Sequence, residues 1–158
     1  MDILFTRRYK YTTHYSVDNV RADIESIIGR RWYDFSVNMT GRFKSDGSFI
    51  LTHKWSLAII RWVETSPAYL NGTLSSKDNK TIIETSVRPN SAIVLLFYLF
   101  ILLFLVELFG RSIIVGESKT FSLIFFLAFG LLLFGLIKLF TIGLRNRFEK
   151  LLRITREE

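Results

Sequence analysis

Two long apolar segments dominate the second half of the chain. The first runs from residue 92 to 109 and the second from 121 to 142, and a short polar link separates them. As α-helices they would measure roughly 27 and 33 Å, close to the about 30 Å of hydrocarbon in a bilayer. We therefore predict a transmembrane helical hairpin over residues 91–143, with spanning helices at 92–109 and 121–142.

The first ninety residues show the patterns of a small mixed domain instead. Polar and apolar positions alternate between Phe5 and Tyr15, which predicts a strand with one covered face. From residue 17 to 28 the apolar residues recur at helical spacing, and Ser16 and Gly29 suit the two ends of a helix. The single apolar stripe of this amphipathic helix needs a sheet to cover it.

Two β-hairpins are expected to supply most of that sheet. Each consists of two segments with period-two alternation, at residues 33–44 and 49–59 and at residues 69–75 and 81–87. The turn of the first hairpin is predicted at Ser45-Asp46-Gly47. Gly41 stands among the apolar positions, where a bulge or close packing is expected. Residues 55–63 fit either a bent strand or a short helix.

These patterns predict an α+β protein in three parts. Residues 1–90 form a small N-terminal domain, with one amphipathic helix on an antiparallel sheet of about five strands, and the transmembrane hairpin follows. Residues 144–158 form a basic amphipathic tail, which lies either at the membrane interface or under the front domain. Only the short corner Arg88-Pro89-Asn90 separates the last strand from the first spanning helix. The sheet therefore cannot reach far from the bilayer.

The distribution of charge orients the hairpin. The formal net charge is +7, and basic residues flank the outer ends of the apolar segments more densely than the link, which has Arg111 and Lys119. The positive-inside rule and an N-terminus that lacks the apolar run of a signal peptide predict cytoplasmic termini in a bacterial inner membrane. The residues expected to meet anionic headgroups are Arg88, Arg145, Arg147, Lys150 and Arg153.

Two ionisable residues, Glu107 and Lys138, lie within the apolar segments. Such residues are functional candidates because a charge is costly in hydrocarbon. They stand near opposite ends of the hairpin, roughly 20 Å apart by helix rise, so we expect no salt bridge between them. Glu107 is expected to reach Arg111 and Lys138 to extend to the headgroups. Contact with another subunit is the alternative for both.

No pattern in the sequence predicts catalysis. The chain has no cysteine, which excludes disulfides and thiolate sites. His14 and His53 fall on separate strands without neighbouring ligands, so no metal site is expected, and His53 is predicted to be a hydrogen-bonded core residue. No nucleophile triad, phosphate-binding glycine loop or carboxylate pair is present, and no cofactor is expected. The aromatic and basic residues of the domain suit a core and a membrane surface better than a nucleic acid.

The leading functional hypothesis is a small, non-enzymatic integral membrane protein whose cytoplasmic domain binds or positions a partner. Its expected partners are the lipid bilayer and either another membrane protein or a second copy of this chain; nucleic acid is not expected. One alternative is a pocket for a lipid or an apolar ligand in the N-terminal domain. The other is a pore or transport subunit in which several hairpins assemble around Glu107.

Overall fold

The computed structural model describes residues 5–30, 38–54, 66–78, 80–110 and 118–154. In chain order the elements are β1 (Arg7–Thr13), α1 (Val17–Ile28), β2 (Met39–Phe43), β3 (Phe49–His53), β4 (Ala68–Lys77), β5 (Lys80–Pro89), α2 (Ser91–Phe109) and α3 (Lys119–Leu152). An antiparallel five-stranded sheet, one amphipathic helix and a C-terminal pair of long apolar helices make this an α+β fold, as predicted.

The sheet has the strand order β1-β5-β4-β3-β2, and all neighbouring strands are antiparallel. Both predicted hairpins are confirmed, as β2–β3 and β4–β5. The first strand pairs with the last, with Tyr11 opposite Ile83. Because β1 and β2 lie at opposite edges, α1 connects them across one face of the sheet. The alternation of the sequence decides which face each residue occupies.

The amphipathic helix α1 has the predicted ends. The side chain of Ser16 accepts a hydrogen bond from the backbone N–H of Asn19, and Gly29 is the C-terminal cap. Val20, Ile24 and Ile27 are buried toward the sheet. Local capping and the apolar stripe therefore agree with the tertiary packing.

The first hairpin is described over a shorter length than was predicted. Its predicted outer parts, residues 33–37 and 55–59, and the ambiguous segment 55–63 lie outside the described residues. Its turn is confirmed, since Gly47 has a φ of +78°. Close packing at Gly41 is also confirmed, because a Cβ atom there would collide with the backbone oxygen of Ile50.

Helix α3 continues far beyond the apolar segment. Its 34 residues span about 50 Å, which exceeds the hydrocarbon of a bilayer by about 20 Å. The helix passes residue 143, where the hairpin was predicted to end, without a break. Its last turns bury Leu144, Phe148 and Leu152 against the sheet. Of the two placements considered for the tail, the structure has residues 144–152 packed within the front domain.

The core of the domain therefore lies between one face of the sheet and two helices, α1 and the end of α3. Phe148 occupies its centre, with its ring 6.0 Å from that of Phe49 and 6.0 Å from that of Tyr11. All three side chains are fully buried. The opposite face of the sheet is covered by no described element, and we call it the open face.

The apolar helices α2 and α3 pack against each other in antiparallel orientation. Phe100 stacks on Phe129 at 4.9 Å, and Phe97 lies 6.1 Å from Phe134. Both helices are long and apolar enough to span a membrane, and only 11% and 22% of their apolar windows are buried. Core helices of a soluble domain would be mostly buried, so this large exposed apolar surface favours a lipid environment.

Candidate functional site

The sheet is attached to the apolar helices along one edge. Antiparallel pairing brings the start of β1, the end of β5, the start of β4 and the end of β3 to this edge, which we call the hairpin edge. Asn90 fixes the corner there: its side chain accepts from the N–H of Ala92 at 2.8 Å and donates to the carbonyl of Ser66 at 2.9 Å. Its backbone N–H donates to Pro67 at 2.9 Å. The direction of α2 is therefore fixed relative to the sheet.

The chain just before β1 also contacts the apolar helices. The ring of Phe5 lies 5.7 Å from that of Phe97, 6.2 Å from Tyr98 and 6.4 Å from Phe134. The N-terminal segment thus packs on both α2 and α3 about two helical turns beyond the hairpin edge.

A small cleft of about 80 Å³ lies where the domain meets the helices, and we call it the junction cleft. Its lining residues are Phe5, Arg7, Tyr9, Val87, Ile137, Lys138, Thr141 and Ile142. Two cations and no carboxylate are among them. Lys138 is half-buried, and its ammonium lies 5.4 Å from the centre of the Phe134 ring. Of these cations, sequence reasoning selected Lys138 and missed Arg7, although Arg7 occupies the covered face of β1 by alternation.

A polar cluster behind the cleft joins the sheet to α3. Arg145 donates to the hydroxyl of Tyr9 at 3.1 Å, and its Nε lies 3.7 Å from Oε1 of Glu149. The hydroxyl of Tyr11 donates to the same carboxylate oxygen at 2.9 Å. Burial and the Glu149 carboxylate raise the pKa of Tyr11 above its ordinary value. Arg145, predicted at the headgroups, is only 12% exposed and belongs to this cluster.

The other predicted headgroup residues are spread over the domain. Arg88 is half-buried near the hairpin edge, with its guanidinium 4.7 Å above the ring of Tyr69. Arg147 donates to a backbone oxygen at 3.4 Å. Lys150 and Arg153 stand on the exposed side of α3, about 12 and 16 Å beyond Ile142 by helix rise. Arg88 thus lies at the hairpin edge, whereas Lys150 and Arg153 lie away from it.

The intramembrane candidates Glu107 and Lys138 are not brought together. Lys138 stands at the level of Phe97, and Glu107 lies ten residues further along α2, about 15 Å by helix rise. Glu107 and Ser122 are both fully buried where α2 and α3 meet near the link. Arg111, its expected partner, lies outside the described residues. The carboxyl of Glu107 therefore offers no exposed surface to a neighbouring subunit.

The open face carries a wide, polar depression. It has a volume of about 790 Å³ and crosses β1, β5, β4 and the β2–β3 turn. The polar and charged residues in its lining are Arg8, Tyr9, Lys10, Lys44, Asp46, Ser48, Asn71, Thr73, Glu84, Thr85 and Ser86. Glu84 is the only acidic residue in the five described strands. With Asp46 in the β2–β3 turn, the depression has three cationic and two acidic side chains in its lining. It is therefore weakly basic, and this lining does not suit an apolar ligand.

The two histidines occupy different environments. His53 is 6% exposed, and its Nε2 donates to the carbonyl oxygen of Phe140 at 3.0 Å. This burial and this hydrogen bond confirm the predicted core residue, and the burial lowers the pKa of His53. His14 directly follows β1, which ends at Thr13, and its side chain is exposed. No three metal-ligating side chains lie together in the part of the chain that the structure describes.

No family model, curated protein or solved structure compared with the chain matches it.

Proposed function

We propose that this is a small, non-enzymatic integral membrane protein that holds a partner protein at the bilayer through the open face of its cytoplasmic domain. The observation that carries the proposal is the continuity of α3, which leaves the apolar hairpin and enters the domain core as one helix. A domain fixed in this way cannot search the cytoplasm as one on a long linker can. Its partner therefore belongs to the same membrane.

The charge of the open face indicates the chemistry of the partner. Basic side chains at Arg8, Lys10, Lys44, Arg42 and Arg88 outnumber the two carboxylates of this side, Glu84 on β5 and Asp46 in the β2–β3 turn. An acidic segment complements this surface, and complementary charge contributes to specificity and association rate. Two copies of the chain would place like charges opposite each other. A different, acidic membrane protein is therefore favoured over a face-to-face homodimer.

The proposed orientation places the domain and both termini in the cytoplasm of a bacterial cell. It is supported by the basic residues near the hairpin edge, among them Arg7, Arg88 and Lys138, because cytoplasmic flanks are enriched in Lys and Arg. The polar character of the depression argues against an apolar ligand there. The burial of Glu107 argues against a pore lined by this residue.

A face-specific cross-linking experiment tests the proposal. A photoreactive amino acid replaces Thr73 on the open face or, as the matched control, Asn19 on the exposed side of α1, in membranes from cells that express the full chain. We expect one discrete adduct from Thr73 and none from Asn19. Charge reversal by Arg8→Glu should abolish the adduct, whereas Lys150→Glu on α3 should not. Equal adducts from both faces, or none from Thr73, would contradict the proposal.

A further inference from the structure

We propose that the junction cleft binds the phosphate group of an anionic phospholipid. This inference concerns a different surface from the open face and goes beyond partner binding. The cleft is formed by the start of β1, the end of β5 and the part of α3 that leaves the apolar hairpin. Three features carry the proposal: its charge, its level along the helices and its size.

Among the residues that the structure describes, no carboxylate balances the positive charge of the cleft. Arg7 contributes from β1 and Lys138 from α3, so two cations line one small space from different elements. Within the described ranges, neither side chain forms an ion pair with a carboxylate. A guanidinium can donate two parallel hydrogen bonds to phosphate oxygens, and an ammonium supplies a point charge. An anionic oxygen group is the ligand that this pair complements.

The position of the cleft along the apolar helices favours a lipid as the source of the anionic oxygen group. Phe5 and Ile142 form an apolar part of its lining and continue into the exposed apolar surface of the hairpin. Tyr9 and Thr141 contribute hydroxyl groups on the domain side. A bound amphiphile could place its phosphate between Arg7 and Lys138 while its acyl chains follow α2 and α3. A free phosphate ion would leave the apolar part of the lining unused.

The size of the cleft selects the phosphate rather than a whole headgroup. A water molecule needs roughly 10–15 Å³ of such space, and the cleft provides about 80 Å³. This suits one phosphodiester group and leaves the rest of the headgroup outside. A zwitterionic lipid brings its own cation beside the phosphate, which repels Arg7 and Lys138. The preferred ligand is therefore a lipid with net negative charge, such as phosphatidylglycerol.

Native mass spectrometry of the full-length protein in mild detergent tests the site. The probes are phosphatidylglycerol, phosphatidylcholine and inorganic phosphate, each added at a series of concentrations. The wild type should retain phosphatidylglycerol in preference to the other two. The double variant Arg7→Gln/Lys138→Gln should bind it at least about tenfold more weakly, because it loses two charge-assisted contacts. The control Lys77→Gln/Lys80→Gln removes the same charge at the opposite end of β4 and β5 and should bind like the wild type.

A second variant separates loss of the site from loss of the fold. Arg7→Lys/Lys138→Arg keeps both positive charges and only exchanges the guanidinium and the ammonium. Its affinity for phosphatidylglycerol should therefore stay within about threefold of the wild type. Equal binding by wild type and the glutamine variant would overturn the proposal. Retention of inorganic phosphate without phosphatidylglycerol would overturn the lipid assignment. The Thr73 adduct reports the open face and should persist in the glutamine variant, so the two proposals can fail separately.

Discussion

At the scale of single residues, the most informative group is the polar cluster of Tyr9, Tyr11, Arg145 and Glu149. It connects β1 with residues of α3 that stand more than 130 positions later in the chain. Alternation predicted that both tyrosines face inward, and charge selected Arg145 as a headgroup residue. Neither pattern contains information on residues so distant in sequence, so the pairing could be found only in the folded chain.

The hydroxyl of Tyr11 should stabilise the fold measurably. Tyr11→Phe keeps the ring against Phe148 but removes the donor to Glu149. We expect a loss of about 1–3 kcal/mol, because a half-buried carboxylate loses a hydrogen bond. Thermal unfolding followed by circular dichroism in mild detergent measures the change. Tyr15→Phe, at an exposed position, should change stability by less than about 0.5 kcal/mol. Equal effects of the two substitutions would contradict the role of the cluster.

His53 should make the stability of the domain depend on pH. Burial lowers its pKa in the fold below the ordinary value of 6.5, so the unfolded chain takes up the proton at a higher pH than the folded chain. The stabilisation is complete above pH 6.5 and decreases as the pH falls from there toward the folded-state pKa. Melting temperatures from about pH 7.5 to about pH 5 measure this dependence. It should shrink in His53→Gln and persist in His14→Gln; an unchanged slope in His53→Gln would refute it.

At the scale of elements, the sequence predicted the strands, α1 and both apolar helices, because each has a regular period or a long apolar run. It did not decide the place of residues 144–152. Leu144, Phe148 and Leu152 are four residues apart, and this spacing is the same for a helix on a membrane surface and for a helix in a core. Hydropathy falls at residue 143, where the apolar segment ends, but the helix itself continues.

Leucine substitutions on α3 can distinguish its two halves. Leu144 is fully buried in the domain core, whereas Leu139 is 65% exposed on the apolar hairpin. Leu144→Ala should destabilise the domain by about 2–5 kcal/mol, since it removes apolar contacts and leaves a cavity. Leu139→Ala should cost less than about 0.5 kcal/mol in detergent. Unfolding curves for both variants make the comparison, and similar costs would show that the end of α3 does not contribute to the core as described.

At the scale of the whole molecule, the two halves form one mechanical unit. One connection is the hydrogen-bonded corner at Asn90, and the other is the continuous helix α3. If α2 and α3 changed their orientation, the sheet would therefore move with them. The proposed partner on the open face and the proposed lipid in the junction cleft would therefore bind to different surfaces of the same connected unit.

The orientation of this unit in the membrane is the claim on which the proposed function depends. The chain contains no cysteine, so single cysteines can be introduced at exposed positions without background. Asn19→Cys marks the domain, and Thr120→Cys marks the far end of the hairpin. The measurement is labelling by a membrane-impermeant maleimide in spheroplasts, before and after permeabilisation. We expect labelling of Thr120→Cys in intact spheroplasts and of Asn19→Cys only after permeabilisation. Labelling of both positions in intact spheroplasts, or of neither, would contradict the proposed orientation.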